Sequence, residues 1–310
     1  MEYVIGFGPL GRALTKEILA SGREATVISR RGLRPEQGVH AIQGSIMDPN
    51  VQRVIDGGST LYHCANAPYH RWPQELPTLW DSMADLAEQT GSRLVVGTNL
   101  YAFGRPNGIL TESHEKSPCS RKGYVRHQIE TRTIQVAERG GFPCALVRAS
   151  DFFGPGGCES ALGDRFFAAV LAKNIAGYLG SLDVRHSYTY LPDYARTMLA
   201  AAQFLETSQT KVTEWIVPNA PAVTARELTR ILEQFIHQPL KPQTTTRFSL
   251  RLGGLFVPAA KELLEMWYEF DEPFIADGSL AEQTLAITPT PLEKALEETV
   301  RWYRSRGGKK

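Results

Sequence analysis

Cysteine is scarce and scattered: Cys64, Cys119, Cys144 and Cys158 are the only four in 310 residues, and no two form a CxxC pair. Such spacing supports neither a structural zinc site nor the disulfide framework of a small secreted domain. The seven histidines, His40, His63, His70, His114, His127, His186 and His237, lack HxxxH or comparable ligand spacing, so no metal centre is expected. No stretch approaches the roughly 20 consecutive apolar residues that a membrane helix needs. Thirty-four Lys plus Arg stand against 33 Asp plus Glu, a formal charge of +1. So neutral a chain has no broad field to hold nucleic acid or an anionic bilayer, and a small-molecule ligand suits it better. A GxSxG elbow is missing, which sets Ser/His/Asp hydrolase chemistry aside. Internal repeats and low-complexity runs are missing too. Tyr3-Val4-Ile5 reads as a buried strand rather than a targeting leader, and the expected compartment is the cytoplasm.

What the sequence does have is an alternation of short apolar runs with longer helical stretches. Tyr3–Gly6, Ala25–Ser29, His40–Gln43, Thr60–His63, Arg93–Gly97 and Cys144–Arg148 are the candidate strands. Leu10–Ala20, Trp80–Gln89 and Val125–Arg139 have helical spacing, with Gly22, Gly91 and Gly140 where helices stop. That order predicts an α/β fold, a doubly wound parallel sheet with helices on both faces. Residues 1–155 form the expected nucleotide-binding domain. Residues 156–310 are richer in Gly and Pro connections and form a smaller, interleaved substrate-binding part. A helix over 190–205 is expected to return to the first domain, and Thr224 with Glu227 has the spacing of a capping box. A homodimer is left open.

Gly6-Phe7-Gly8-Pro9-Leu10-Gly11 is a GxGxxG run placed between the first strand and the first helix. Glycine there permits a tight turn and close backbone approach, and the helix N-terminus offers unpaired amides to a pyrophosphate. The second strand ends Ser29-Arg30-Arg31, with no carboxylate for a ribose 2′-hydroxyl and two guanidinium groups for a 2′-phosphate. NADP is therefore expected over NAD.

Further segments follow in order: Gly44-Ser45-Ile46-Met47-Asp48, His63-Cys64-Ala65-Asn66-Ala67, Thr98-Asn99-Leu100-Tyr101-Ala102-Phe103-Gly104, Arg148–Gly156, Tyr190–Ala195, and Phe274–Ser279 ahead of Thr290-Pro291-Leu292. Over nearly the whole chain they resemble the extended short-chain dehydrogenase/reductases, the NAD-dependent epimerase/dehydratase family. The resemblance implies an oxidoreductase or epimerase acting on a small carbonyl or hydroxyl compound. It implies that Asp48 lies near the adenine, that Ala65, Asn66 and Ala67 line the cofactor, and that Thr98 and Ser150 stand beside it.

The chemistry departs from the resemblance. That family uses Ser, Tyr and Lys, the last two as YxxxK, yet none of the eleven tyrosines here is followed by Lys four residues on. Counting back from Glu130, the Tyr position holds Lys122 and the Lys position Arg126, while Asn99 occupies the Ser position. Tyr124 is turned about 200° from Lys122 on a helix and is expected to face away. Tyr101, just past the fifth strand, is the better candidate proton donor, with a packing role as the competing reading. Lys122 can bond a ribose or give a proton, and Arg126 can hold an anion, unless Arg121, Lys122 and Arg126 are only a solvated basic face. Asp151 replaces a substrate-side Asn, adding a negative charge that disfavours sugar nucleotides. Tyr62, Tyr69, Trp72 and Trp80 either line a flat ligand or pack. Loss of all three catalytic positions keeps a second expectation alive, a non-catalytic NADP(H)-binding sensor or scaffold.

Overall fold

The computed structural model describes residues 1–33, 37–253 and 263–307. Its strands are β1 Glu2–Ile5, β2 Ala25–Ser29, β3 Val39–Gln43, β4 Thr60–His63, β5 Arg93–Asn99, β6 Cys144–Ala149, β7 Asp151–Phe153, β8 Ile175–Leu179, β9 Tyr188–Tyr190, β10 Val212–Ile216 and β11 Lys241–Thr245. The helices that matter here are α1 Pro9–Ala20, α2 Pro49–Gln52, α3 Trp72–Thr90, α4 Arg121–Gly140, α5 Asp164–Lys173, α6 Leu191–Thr207 and α7 Ala225–Ile236.

Seven strands form one parallel sheet in the order β10-β6-β5-β4-β1-β2-β3. Every residue of β1, β4 and β6 is buried, as strands covered on both faces must be. One face carries α3 and α4, packing Trp72, Leu76, Trp80, Met83 and Ile129 onto Ile5, Leu61 and Val96. The other carries α1 and α6, with Leu14, Ile18, Tyr194 and Met198 on Val4, Val27 and Val95. Strand order reverses between β4 and β1, and the crevice beyond their C-terminal ends is where such sheets bind ligands.

A separate core joins α5, α7, β8 and the last helix, Leu292–Gly307, through Phe166, Phe167, Leu228, Leu232 and Leu296. The capping box at Thr224 and Glu227 is present. Helix α6 lies on α1 and anchors to β5 and β6 through the Tyr194 hydroxyl, which donates to the carbonyls of Thr98 and Val147. The sheet also recruits β10 from beyond residue 155, a strand absent from the sequence reading. Helix α3 begins eight residues before the expected Trp80. Pro73 sits within its first turn, where a missing amide costs nothing, and Pro77 is accommodated inside it. Among the described residues, no helix is long and apolar enough to cross a membrane.

Candidate active site

The turn after β1 separates three glycine roles. Gly6 has φ +96°, and a Cβ there would lie 2.6 Å from the Ala65 backbone, so the ends of β1 and β4 touch. A Cβ on Gly11 would stand 2.0 Å from the Gly6 carbonyl oxygen, which locks α1 against the strand. Gly8 has nothing within 4 Å of its Cβ position. Pro9 opens α1, no side chain caps it, and its positive end therefore meets the open space above Gly8. Phe7 stays half-exposed under the Arg12 guanidinium at 4.3 Å, and the Leu10 side chain fills the gap left by Gly97 in β5. An open, uncapped helix end behind two steric glycines fits a dinucleotide pyrophosphate.

At the end of β2, the Ser29 hydroxyl accepts from the Arg31 amide at 3.3 Å. Arg30 and Arg31 are both exposed, and no carboxylate pairs with either among the described residues. Asp48 spends one carboxylate oxygen on the Asn50 amide, 2.9 Å away, as the N-cap of α2. Ala67 donates its amide to the Asn66 side chain at 3.0 Å and accepts the Trp72 indole at 3.1 Å, which ties the segment after β4 to the start of α3. Thr98 and Ser150, expected at the cofactor, use their hydroxyls internally: Thr98 donates to Glu130 at 2.8 Å and Ser150 to the Ser187 carbonyl at 2.7 Å. The Thr98 partner belongs to a network in which the buried Arg148 pairs with the buried Glu130 at 2.8 Å and with the partly exposed Glu214.

Lys122, Arg126 and Glu130 share one buried face of α4, whereas Tyr124 is 56% exposed. The solvated-face reading is thereby corrected for Lys122 and Arg126: the face folds inward because an aromatic cage covers it. The Lys122 ammonium lies 4.1 Å from the centroid of the Tyr69 ring and 2.5 Å from Glu265 Oε1. The Arg126 guanidinium stacks 4.2 Å from the Trp72 ring and 5.6 Å from Trp80. Burial lowers its pKa, and burial plus the Arg126 charge pushes His63 down to about 3, so that imidazole stays neutral. Asn99 accepts the Tyr101 amide at 3.3 Å, which holds the turn after β5.

Tyr101 accepts a 3.4 Å hydrogen bond from the Tyr69 hydroxyl. Burial raises both phenols well above their ordinary value, and the charges of Glu269 and Asp151 add to the rise. Such surroundings disfavour the phenolate form of Tyr101. Asp151, just past the C-terminal end of β6, has Oδ2 3.3 Å from His186 Nε2. Sequence reasoning missed Glu265, Glu269 and His186. Glu265 and His186 come from irregular connections and Glu269 from a four-residue helix, Tyr268–Asp271, too short for a periodic pattern to place it. Beside Glu265 opens a cavity of about 450 Å³, bounded by Cys119, Tyr268, Asp271 and Arg105. Among the described residues, no cluster of His, Cys, Asp and Glu could hold a metal ion.

A family model described as "NAD dependent epimerase/dehydratase family" matches residues 3–213. No curated protein sequence matches. Among solved structures, MoeE5 in complex with UDP-glucose and NAD aligns with a TM-score of 0.78 at 19% identity, covering 99% of both chains. A UDP-glucuronic acid 4-epimerase from Bacillus cereus, in complex with UDP-glucuronic acid and NAD, aligns at 0.78 with 15% identity, over 99% of this chain and 100% of that one. The Bordetella bronchiseptica enzyme WbmH in complex with NAD+ aligns at 0.73 with 17% identity and the same coverage.

Proposed function

Because this chain belongs to the NAD-dependent epimerase/dehydratase family, we propose that it is an NADP-dependent oxidoreductase or epimerase acting on a small carbonyl or hydroxyl compound. The observation that carries the reading is the open space over Gly8 at the uncapped start of α1, together with the linked polar groups of Lys122, Tyr69 and Tyr101. When bound, the nicotinamide supplies or takes up a hydride at the substrate carbon. The chain's own groups hold the dinucleotide at residues 6–11, exclude water with the Trp72 and Trp80 cage, and offer hydrogen-bond donors to the substrate oxygen. Residues 1–155, with α6 and β10, form the nucleotide-binding part in this reading, and the rest mainly the substrate part.

Preference for NADP rests on the partly buried Ser29 and the exposed Arg30 and Arg31, at a strand end that carries no carboxylate. The solved neighbours are NAD complexes, but at 15–19% identity that likeness reaches the fold alone. Calorimetric titration is expected to give NADP(H) an advantage of about tenfold or more, the scale of one charge-assisted hydrogen bond. Arg30→Ala should reduce it. Equal affinities, or an unchanged preference in the variant, would reverse the cofactor assignment.

A second reading, a dinucleotide-binding sensor or scaffold without turnover, draws support from one observation: burial raises both site phenols, and nothing activates them. Incubating the NADPH-bound protein with aldehydes, ketones and sugar derivatives separates the two. Oxidation of NADPH supports the enzyme, and NADPH that is bound but never consumed supports the sensor.

A further inference from the structure

Strand register brings two side chains that are far apart in sequence to the same lip of the cleft. Asn99 and Ala149 are paired across β5 and β6, so Tyr101 and Asp151 each lie two residues beyond a matched pair, at the same C-terminal edge. Asp151 divides its carboxylate. Oδ2 is buried and turned to His186 Nε2, and neither atom has a hydrogen-bond partner of normal geometry. The Asp151 side chain is nevertheless 19% exposed, so with Oδ2 buried the accessible carboxylate oxygen is Oδ1.

The histidine is firmly set. His186 is 5% exposed, its Nδ1 lies 3.1 Å from the Glu269 carbonyl oxygen, and Phe274 and Phe270 stack on its ring. Its backbone exchanges two hydrogen bonds with Val223. An imidazole held on so many sides cannot swing away, so it fixes the Asp151 rotamer. The Glu269 side chain, 1% exposed with Oε1 unpartnered, adds a second carboxyl whose ionisation burial opposes.

We infer that Asp151, oriented by His186 as a positioning residue, selects a substrate whose end at this lip bears hydrogen-bond donors, hydroxyl or ammonium, and no negative charge. A carboxylate or phosphate at that end meets Asp151 as a like charge in a poorly hydrated cleft, where repulsion costs far more than in water. A hydroxyl or ammonium donates to Oδ1 and replaces the water it displaces. This inference rests on the reading of the cleft as a substrate site.

Three near-isosteric ketones test it on the full chain with bound NADP: hydroxyacetone, aminoacetone and pyruvate. Binding is read from broadening of each probe's NMR lines, independently of turnover. Hydroxyacetone and aminoacetone are expected to bind about tenfold or more tighter than pyruvate, the scale of one like-charge contact. Asp151→Asn should erase the discrimination by admitting pyruvate. His186→Leu should blunt it, while His186→Gln, whose side-chain amide can donate to Oδ2, should restore part of it. A purely structural loss would weaken all three probes equally and leave their ratio unchanged. Equal binding of the three, binding of none, or an unchanged ratio in Asp151→Asn overturns the inference. Donor probes that bind without NADPH consumption would leave it standing and remove the enzymatic reading. NADPH consumption with pyruvate as readily as with hydroxyacetone would do the opposite.

Discussion

Replacing Gly8 by Val is expected to abolish NADP(H) binding while leaving the protein folded. The residue's backbone, at φ −75° and ψ −166°, is extended and suits a β-branched side chain as well as glycine. Its Cβ position meets nothing within 4 Å, so the folded protein has no contact to lose. What the isopropyl group fills is the approach to the first amides of α1, which is where a pyrophosphate must lie. Gly11→Ala is the contrasting variant. Its methyl would collide with the Gly6 carbonyl at 2.0 Å, and Gly6 itself sits at φ +96°, so strand and helix must separate. That variant should lose thermal stability as well as binding. Circular dichroism, a thermal melt and calorimetric titration on both proteins distinguish the cases. Retained binding in a normally folded Gly8→Val protein would reduce the GxGxxG turn to a structural connection.

Much of this was legible in the sequence, because its signals are local. The glycine run, the buried strands and the helix stops each depend on neighbours within one turn or one strand, and the first six strands stand within two residues of their expected places. Val212–Ile216 was not legible. It is an edge strand whose polar residues have tertiary uses: Glu214 reaches inward to Arg148 and Lys116, and Thr213 accepts the Trp215 indole. The cleft was read in part. Lys122 and Arg126 were placed on one face from their spacing relative to Glu130, but their partners were hidden. Glu265 meets Lys122 across 143 residues and His186 meets Asp151 across 35, and no periodicity connects loops to helices over such separations. For the aromatic residues Tyr69 and Trp72 the sequence leaves open a flat ligand or simple packing. Only the tertiary fold shows that they cap the two cations.

Lys122→Met and Tyr101→Phe are each expected to lower turnover by roughly 10²-fold, the usual scale for losing a positioned proton donor, and Tyr124→Phe to be nearly silent. Three residues link into one line: the Lys122 ammonium lies on the Tyr69 ring, and the Tyr69 hydroxyl donates to Tyr101. Because burial favours the protonated form of both phenols, the line is set to present a hydrogen to a substrate oxygen. Lys122 carries the positive charge that such an oxygen needs as it gains electrons, and Glu265 fixes where that charge sits. Methionine fits the same aromatic surroundings. Glu265, whose side chain is 21% exposed and still accepts the Arg121 amide at 2.8 Å, keeps a partner when the ammonium is gone. The variant should therefore fold. Tyr124, more than half exposed on the opposite face of α4, touches none of this. The measurement is NADPH consumption by each variant with the first substrate that the carbonyl panel identifies, alongside a cofactor titration that separates a binding defect from a chemical one. A large loss in Tyr124→Phe alone would mean that α4 presents the other face to the substrate. Unchanged turnover in Lys122→Met and Tyr101→Phe would take the line from Lys122 through Tyr69 to Tyr101 out of the chemistry and leave it as the packing that closes the cleft.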